Sequence, residues 1–243
     1  MDKKIFNMAT FPARERALKD CIDSIINQAD EIHVYLNEYD HVPEFLNHEK
    51  ITAYVGTTYE HPVYGPCGDL GDVGKFIDTP NQKGYIFTVD DKLVYPADYA
   101  EKMIETVEQY KRKAVVSCHG RIFPNRAVRS YYGDILEYFG CTRNVLQDRF
   151  AHELGTGVMC FHSDTLTIDL TMFGFTNGTD IQLSAVLQKM EIPILIRRHL
   201  MNWIQISKNY DPAISISTQF SQSSNDKFKA DYINKQTWEV RTC

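Results

Sequence analysis

The sequence lacks a C-x-x-C pair, and it lacks any run of about 18 apolar residues. Its six cysteines are scattered, so they do not have the spacing of a structural zinc site and are typical of reduced thiols. The first residues include no apolar stretch long enough for a signal peptide. These absences favour a cytoplasmic protein without a transmembrane segment, and they leave open an attachment to the inner face of a membrane.

An excess of basic residues is also missing. The chain has 26 Lys and Arg against 32 Asp and Glu, which gives a formal net charge of -6. A broad nucleic-acid-binding surface usually needs the opposite balance, so we expect no nucleic-acid partner. A small basic pocket for a phosphorylated ligand remains compatible with these numbers. No internal repeat and no low-complexity tract is present.

What the chain does contain is 243 residues, 43% of them hydrophobic, enough for one large α/β domain or two small ones. Apolar periodicity predicts alternating strands and helices, and the strand–helix–strand opening indicates a parallel sheet. The predicted strands are 4–10, 31–37, 51–56, 84–89, 114–120, 155–162 and 193–199, and the predicted helices are 11–28, 96–113 and 179–192. We expect loops and short helices over 121–150 and a loose polar cap after about residue 206.

The segment "TVDDKLVYP" ends an apolar strand on two carboxylates and a lysine, Asp90, Asp91 and Lys92. Ligands bind at the carboxyl ends of strands in open parallel sheets. Two carboxylates there can hold a hard cation such as Mg²⁺ or Mn²⁺, which in turn binds a diphosphate. The alternative is an acidic turn on the surface, and this motif alone does not separate the two interpretations.

Polar residues follow other predicted strands in the same way. "TFPAR" (10–14) begins a helix with an arginine, which suits an anionic ligand. "GDLGDVGKF" (68–76) supplies glycines and Lys75, but its spacing is neither that of a dinucleotide-binding loop nor that of a Walker loop. Asp180 lies at a predicted helix start, where it is either an ordinary cap or a general base.

Several segments, taken in order, resemble the glycosyltransferases of GT-A fold, in particular the family 2-like proteins of bacterial polysaccharide synthesis. The resemblance spans about residues 4–205 and rests on "ATFPARERALKDCIDSIINQADEIHVYLN", "DLGDVGKF", "TVDDKLVYPADY", "HELGTG", "TDIQLS" and "RRHLMNW". It implies an α/β, Rossmann-like, mostly parallel sheet flanked by helices. This would form a single GT-A domain over 1–205, followed by a polar C-terminal extension over 206–243.

The resemblance implies transfer of a sugar from a nucleoside diphosphate sugar to a saccharide acceptor, with inversion, in the synthesis of a surface polysaccharide such as a capsule. Asp180 would be the base that takes the proton of the acceptor hydroxyl. The implied nucleotide-sugar-binding residues are Thr10, Pro12, Arg14, Asn37, Asp40, Asp72, Lys75, Asp90, Asp91 and Lys92. The implied acceptor-binding residues are His152, Gly155, Thr156, Gly157 and Trp203.

Lys92 departs from the resembled pattern, in which the last position of the strand-end motif is an acid. An ammonium group cannot ligate a cation. Either Asp90 and Asp91 still hold Mn²⁺ or Mg²⁺, with His199 as a further candidate ligand, or Lys92 neutralises the diphosphate in place of a metal. Two other functions remain open. The chain could be a catalytically silent subunit that binds nucleotide sugars, or it could be a nucleotidyltransferase, although "ATFPARERAL" lacks the glycines expected of the nucleotide loop in such an enzyme.

Overall fold

The computed structural model describes residues 2–214 and 224–243. The strands are β1 Lys4–Thr10, β2 Glu31–Leu36, β3 Ile51–Val55, β4 Glu60–His61, β5 Gly65–Pro66, β6 Tyr85–Val89, β7 Leu93–Val94, β8 Val115–Ser117, β9 Gly120–Ile122, β10 Glu137–Phe139, β11 Arg149–Ala151, β12 Glu153–Leu154, β13 Val158–His162, β14 Ile194–Ile196 and β15 Gln205–Ile206. The α-helices are α1 Glu15–Ile25, α2 Tyr99–Gln109, α3 Thr179–Lys189 and α4 Ser224–Asn234. Short 3-10 helices occupy Pro12–Arg14, Glu44–Leu46, Gly71–Phe76, Thr79–Asn81, Leu170–Met172 and Pro212–Ile214.

The fold is built on an eight-stranded sheet with the order β11-β14-β8-β13-β6-β1-β2-β3. Six of its strands run in one direction, whereas β13 and β11 run in the other. The predicted α/β class with a mostly parallel sheet is therefore confirmed. The chain builds β1, β2 and β3 towards one edge and then returns, so that β6 pairs with the other side of β1.

Alternating residues of the central strands face two separate apolar layers. Phe87 of β6 packs in the layer that contains Leu18 of α1 and Met103 of α2. Its neighbour Ile86 points to the opposite layer, which contains Leu183 of α3. Successive side chains of a strand point to opposite faces of the sheet. Because helices cover both faces, β6 is buried along its whole length.

The region 121–150 differs from the expectation of loops and short helices. It contains β10 and most of β9, which form a second sheet with β12 in the order β10-β9-β12, and it also contains most of β11. Each of these strands has only two or three residues. Such short strands show no clear apolar period, because the contacts that fix them come from other parts of the chain.

The predicted extension over 206–243 is not a loose cap where the structure describes it. Helix α4 buries Ala230 and Ile233 against Phe123, Tyr131 and Ile181 of the main body. Nearer its start, the extension joins β15 to β7. The remaining part of that prediction, residues 215–223, lies outside the described residues. Within 2–214 and 224–243, no helix combines the length and apolarity needed to cross a bilayer.

We expect Ile233→Ala to lower the free energy of unfolding by about 2–4 kcal/mol, because it removes a side chain that is only 2% exposed. Asp231→Ala, an exposed position on the same helix, is the control and should cost less than about 0.5 kcal/mol. Urea denaturation followed by circular dichroism measures both. An unchanged midpoint for Ile233→Ala would mean that α4 does not unfold together with the sheet.

Candidate functional site

The strand order reverses between β1 and β6, and this reversal defines the candidate site. In open α/β sheets, a crevice opens at the carboxyl ends of the strands on either side of such a reversal. Thr10 ends β1, and Asp90, Asp91 and Lys92 follow directly after β6. The motif that the sequence analysis selected thus lies at the place where the topology favours a ligand.

Asp91 is buried and links the ends of β1 and β6. Thr10 Oγ1 donates a hydrogen bond of 2.8 Å to its Oδ2, and Arg14 Nη1 donates one of 2.9 Å to its Oδ1. Burial raises the pKa of Asp91, and the charge of Arg14 opposes that shift. The guanidinium of Arg14 also lies 4.7 Å from the ring centre of Phe11. Both oxygens of Asp91 are therefore engaged by the protein itself.

Asp90 lies between two lysines. Lys75 Nζ donates a hydrogen bond of 2.9 Å to Oδ1, and Lys92 Nζ lies 3.3 Å from Oδ2. Burial alone would raise the pKa of Asp90, but the charges of Lys75 and Lys92 outweigh it and hold the pKa well below its usual range. The side chain of Lys75 is 4% exposed and that of Lys92 is 33% exposed. Lys92 is thus the more accessible of the two cations.

These contacts decide how well a divalent cation fits the site. Each of the four carboxylate oxygens of Asp90 and Asp91 already has a cationic or hydroxyl partner. In the described part of the chain, no three His, Cys, Asp or Glu side chains are arranged to hold a metal ion. Both ring nitrogens of His199 face backbone carbonyls, those of Arg197 and Gly140, at 2.8 and 3.2 Å. The predicted metal ligands are thus paired with other groups of the protein, and their binding of Mn²⁺ or Mg²⁺ remains a prediction.

Asp180 lies in the first turn of α3, but a different residue caps that helix. Asp72 accepts hydrogen bonds from the backbone N–H and the hydroxyl of Thr179, and a third from the backbone of Asn177. Asp180 instead accepts from the N–H and the hydroxyl of Thr156, both at 2.7 Å and both at Oδ1. Among the described residues, no hydrogen bond reaches its Oδ2. The carboxylate is thus oriented while one of its oxygens is left open.

The loop 155–157 brings the two acidic groups together. Thr156 holds Asp180, and the next residue, Gly157, lies against Asp90. A Cβ atom at Gly157 would come within 2.3–2.7 Å of the Asp90 carboxylate, so a larger residue would displace it. Thr88 of β6 fixes the loop by donating a 2.6 Å hydrogen bond to the carbonyl of Thr156. The loop therefore couples the basic cluster to the oriented acid.

His119 is a site residue that the sequence analysis missed. It follows β8, and its ring lies against Gly155 and edge-on to Tyr138, with ring centres 5.2 Å apart. Burial lowers its pKa to about 4, so the imidazole is neutral at physiological pH. The predicted strand 114–120 included His119, whereas β8 ends at Ser117, so the strand-end position that indicated Asp90 was hidden for His119.

The C-terminal extension adds a second group that was missed. The ring centre of Tyr210 lies 5.6 Å from the guanidinium of Arg14, and the carbonyl of Ile214 lies 3.5 Å from Arg14 Nη2. The backbone N–H of Ser207 donates to the carbonyl of Lys92. The extension thus reaches the candidate site, which its polar composition did not indicate.

Several predicted nucleotide-binding residues have their polar groups occupied or lie apart from the cluster. The side-chain amide of Asn37 makes four hydrogen bonds to the backbone of Thr10, Leu70 and Gly71, so it fixes a loop. Asp40 is 91% exposed and pairs with the neighbouring histidine. Pro12 begins the 3-10 helix that leads to Arg14. Their binding roles remain predictions.

Two predicted acceptor-side residues make anchoring contacts. His152 accepts a hydrogen bond of 3.0 Å from the backbone of Phe123 and lies 6.4 Å from the ring centre of Trp238. Trp203 donates its indole N–H to Asp98, and Arg197 lies 4.8 Å from its ring centre. Among the described residues, no hydrogen bond, ring stacking or cation–π contact joins either ring to the charged cluster at the end of β6.

Behind the loop 155–157, Glu153 is a buried acid that is 2% exposed. It accepts a hydrogen bond of 2.6 Å from the hydroxyl of Tyr131, and Arg121 Nε lies 3.4 Å from its other oxygen. Burial raises the pKa of Glu153 to about 7, against the opposing charge of Arg121. The carboxyl group therefore titrates near neutral pH.

This pKa makes stability depend on pH. The folded protein holds the Glu153 proton up to about pH 7, whereas an unfolded glutamate loses it near pH 4.5. The free energy of unfolding should therefore fall as the pH rises through that window, by on the order of 3 kcal/mol. Glu153→Gln cannot titrate, and we expect urea denaturation at pH 5 and pH 8 to show a smaller fall for it than for the native chain. Equal falls would contradict the assigned titration.

Comparison with known proteins adds no identification to this geometry. No protein family matches the chain, and a search of curated proteins finds no match either. The features that bear on function are therefore the charged cluster at the end of β6, the oriented Asp180 and the loop 155–157 that joins them.

Proposed function

We propose that the chain is a glycosyltransferase of GT-A type that moves a sugar from a nucleoside diphosphate sugar to a saccharide acceptor. The observation that carries this proposal is the loop 155–157, which holds an oriented carboxylate, Asp180, beside a basic cluster at the β1–β6 crossover. A transferase of this kind needs both parts: positive charge for a leaving diphosphate and a base for the incoming hydroxyl.

The donor side is supported by the cations at the end of β6. Arg14, Lys75 and Lys92 converge on Asp90 and Asp91, and together they exceed the two carboxylates by one positive charge. A diphosphate is an anion that such a cluster attracts. The crossover between β1 and β6 is also where open α/β sheets bind nucleotides.

The acceptor side is supported by Asp180. Two donors from Thr156 hold Oδ1, so Oδ2 is available to accept the proton of an acceptor hydroxyl. The hydroxyl oxygen then forms a bond to the anomeric carbon, while the bond from that carbon to the diphosphate oxygen breaks. Direct attack by the acceptor hydroxyl, with Asp180 acting only as its base, inverts the anomeric centre. The segments that resemble family 2-like transferases extend the proposal to surface polysaccharide synthesis.

The test is product analysis after incubation with UDP-, GDP- and ADP-linked hexoses, alone and with a panel of mono- and disaccharides. We expect release of a nucleoside diphosphate from one donor class. Asp180→Asn should lower that rate by about 10²–10⁴-fold, because general base catalysis contributes this much, while nucleotide affinity stays nearly unchanged.

The matched control is Asp164→Asn, an exposed aspartate near the opposite end of the sheet. Its rate should equal that of the native chain. In a parallel incubation with nucleoside triphosphates and hexose 1-phosphates, release of pyrophosphate would instead identify a nucleotidyltransferase. Nucleotide binding without turnover for any donor and acceptor would identify a catalytically silent binding subunit, and either result would overturn the proposal.

A further inference from the structure

We infer that the donor site binds its diphosphate without a divalent cation, and that Lys92, supported by Lys75 and Arg14, supplies the positive charge in its place. This inference rests on the proposed function, because it names how the same site holds its nucleotide. It selects, from the two alternatives that Lys92 left open in the sequence, the one without a metal.

The carboxylate oxygens that a metal would need already have partners in the protein. Mg²⁺ and Mn²⁺ prefer carboxylate oxygens, and the strand-end motif offers four. Lys75 and Lys92 occupy the two oxygens of Asp90, and Arg14 and Thr10 occupy the two of Asp91. A cation at these oxygens would have to share each of them with an ammonium group, the guanidinium or a hydroxyl, and would lie beside positive charge.

The local charge at the end of β6 is positive. The three cations around Asp90 and Asp91 leave one positive charge in excess, which repels Mg²⁺ and attracts a diphosphate. Asp72 and Asp180 also lie within electrostatic range of Lys75. Their carboxylates, however, accept hydrogen bonds around the start of α3, where the positive end of the helix dipole, roughly half an elementary charge, offsets part of their charge. The positive excess is thus local to the five side chains at the end of β6, and there it favours an anion.

The three cationic side chains differ in their exposure to solvent. Lys75 and Arg14 are 4% and 8% exposed, and they hold their carboxylates at 2.9 Å. Lys92 is 33% exposed and lies farther from Asp90, at 3.3 Å. Its flexible stem allows the ammonium group to turn from Asp90 to a phosphate oxygen, while Lys75 still neutralises Asp90. Lys92 is therefore the group that contacts the diphosphate and stabilises the charge that develops on it as it leaves.

The experiment is isothermal titration calorimetry with UDP, GDP and ADP, each in EDTA, Mg²⁺ and Mn²⁺. We expect one nucleotide to bind with the same dissociation constant in all three buffers, within about threefold. Binding that needs Mg²⁺ or Mn²⁺ would overturn this inference and leave the proposed function intact. No binding of any nucleotide in any buffer would overturn the proposed function itself, so the two failures are distinguishable.

Two substitutions sharpen the test. Lys92→Met should weaken binding in EDTA by about tenfold or more, because it removes a charge-assisted hydrogen bond. Lys92→Asp leaves three carboxylates against two cations, so binding should become dependent on Mn²⁺. Lys83→Met, an exposed lysine just before the opposite end of β6, is the control and should bind like the native chain.

Circular dichroism establishes that each variant is folded before titration. Should Lys92→Asp fail to fold, the comparison of buffers with the native chain still decides the inference. Unchanged affinity of folded Lys92→Met in EDTA would overturn the assigned role of Lys92.

Discussion

The rest of the structure depends on the pairing of two adjacent carboxylates, the buried Asp91 and the partly buried Asp90, with three cations at the end of β6. Neighbouring carboxylates that are removed from water cannot both remain ionised unless opposite charges compensate them. Arg14, Lys75 and Lys92 provide that compensation, and each comes from a different part of the chain. Loss of one partner from a buried pair typically costs about 3–5 kcal/mol, because it leaves an uncompensated charge. The ion pairs that define the candidate site thus also connect three parts of the chain: the segment after β1, the Gly71–Phe76 helix and the segment after β6.

Aspartates within this small region have different roles because their partners differ. Asp90 and Asp91 are counter-ions to basic side chains, and their oxygens are occupied. Asp72 is a helix cap, bound by backbone and hydroxyl donors. Asp180 has neutral donors on one oxygen only, which orients it without neutralising its charge. The environment, rather than the residue type, separates structural acids from the one that suits proton transfer.

The sequence could predict those parts of the fold in which a regular apolar pattern extends over many residues. Helices α1 and α2 each present a continuous apolar stripe over eleven residues, and β1 and β6 are buried along their length. The strands within 121–150 and the packing of α4 depend on tertiary contacts instead. Ile233 and Trp238, for example, contact residues that lie about a hundred positions earlier in the chain, and no local pattern encodes such contacts.

The candidate site was predictable to a similar degree. Strand-end positions led to Asp90, Asp91 and the "TFPAR" segment, because the ends of parallel strands meet at one edge of a sheet. The partners of each side chain were not predictable, since they are set by the folded chain. For this reason Asn37 and Trp203 have loop-fixing and anchoring contacts, whereas His119 and Tyr210 reach the site without having been selected.

The contacts of the C-terminal extension have a consequence for the order in which the protein forms. Arg14 meets the carbonyl of Ile214 across 200 positions of sequence, and Ser207 donates to Asp20 across 187. Contacts of such high sequence separation close late, because the intervening chain must first be ordered. During synthesis, β1, β2 and β6 can pair well before residues 207–214 have left the ribosome. The sheet therefore forms as a scaffold first, and the part of the crevice beside Arg14 is completed only when residues 207–214 have been made.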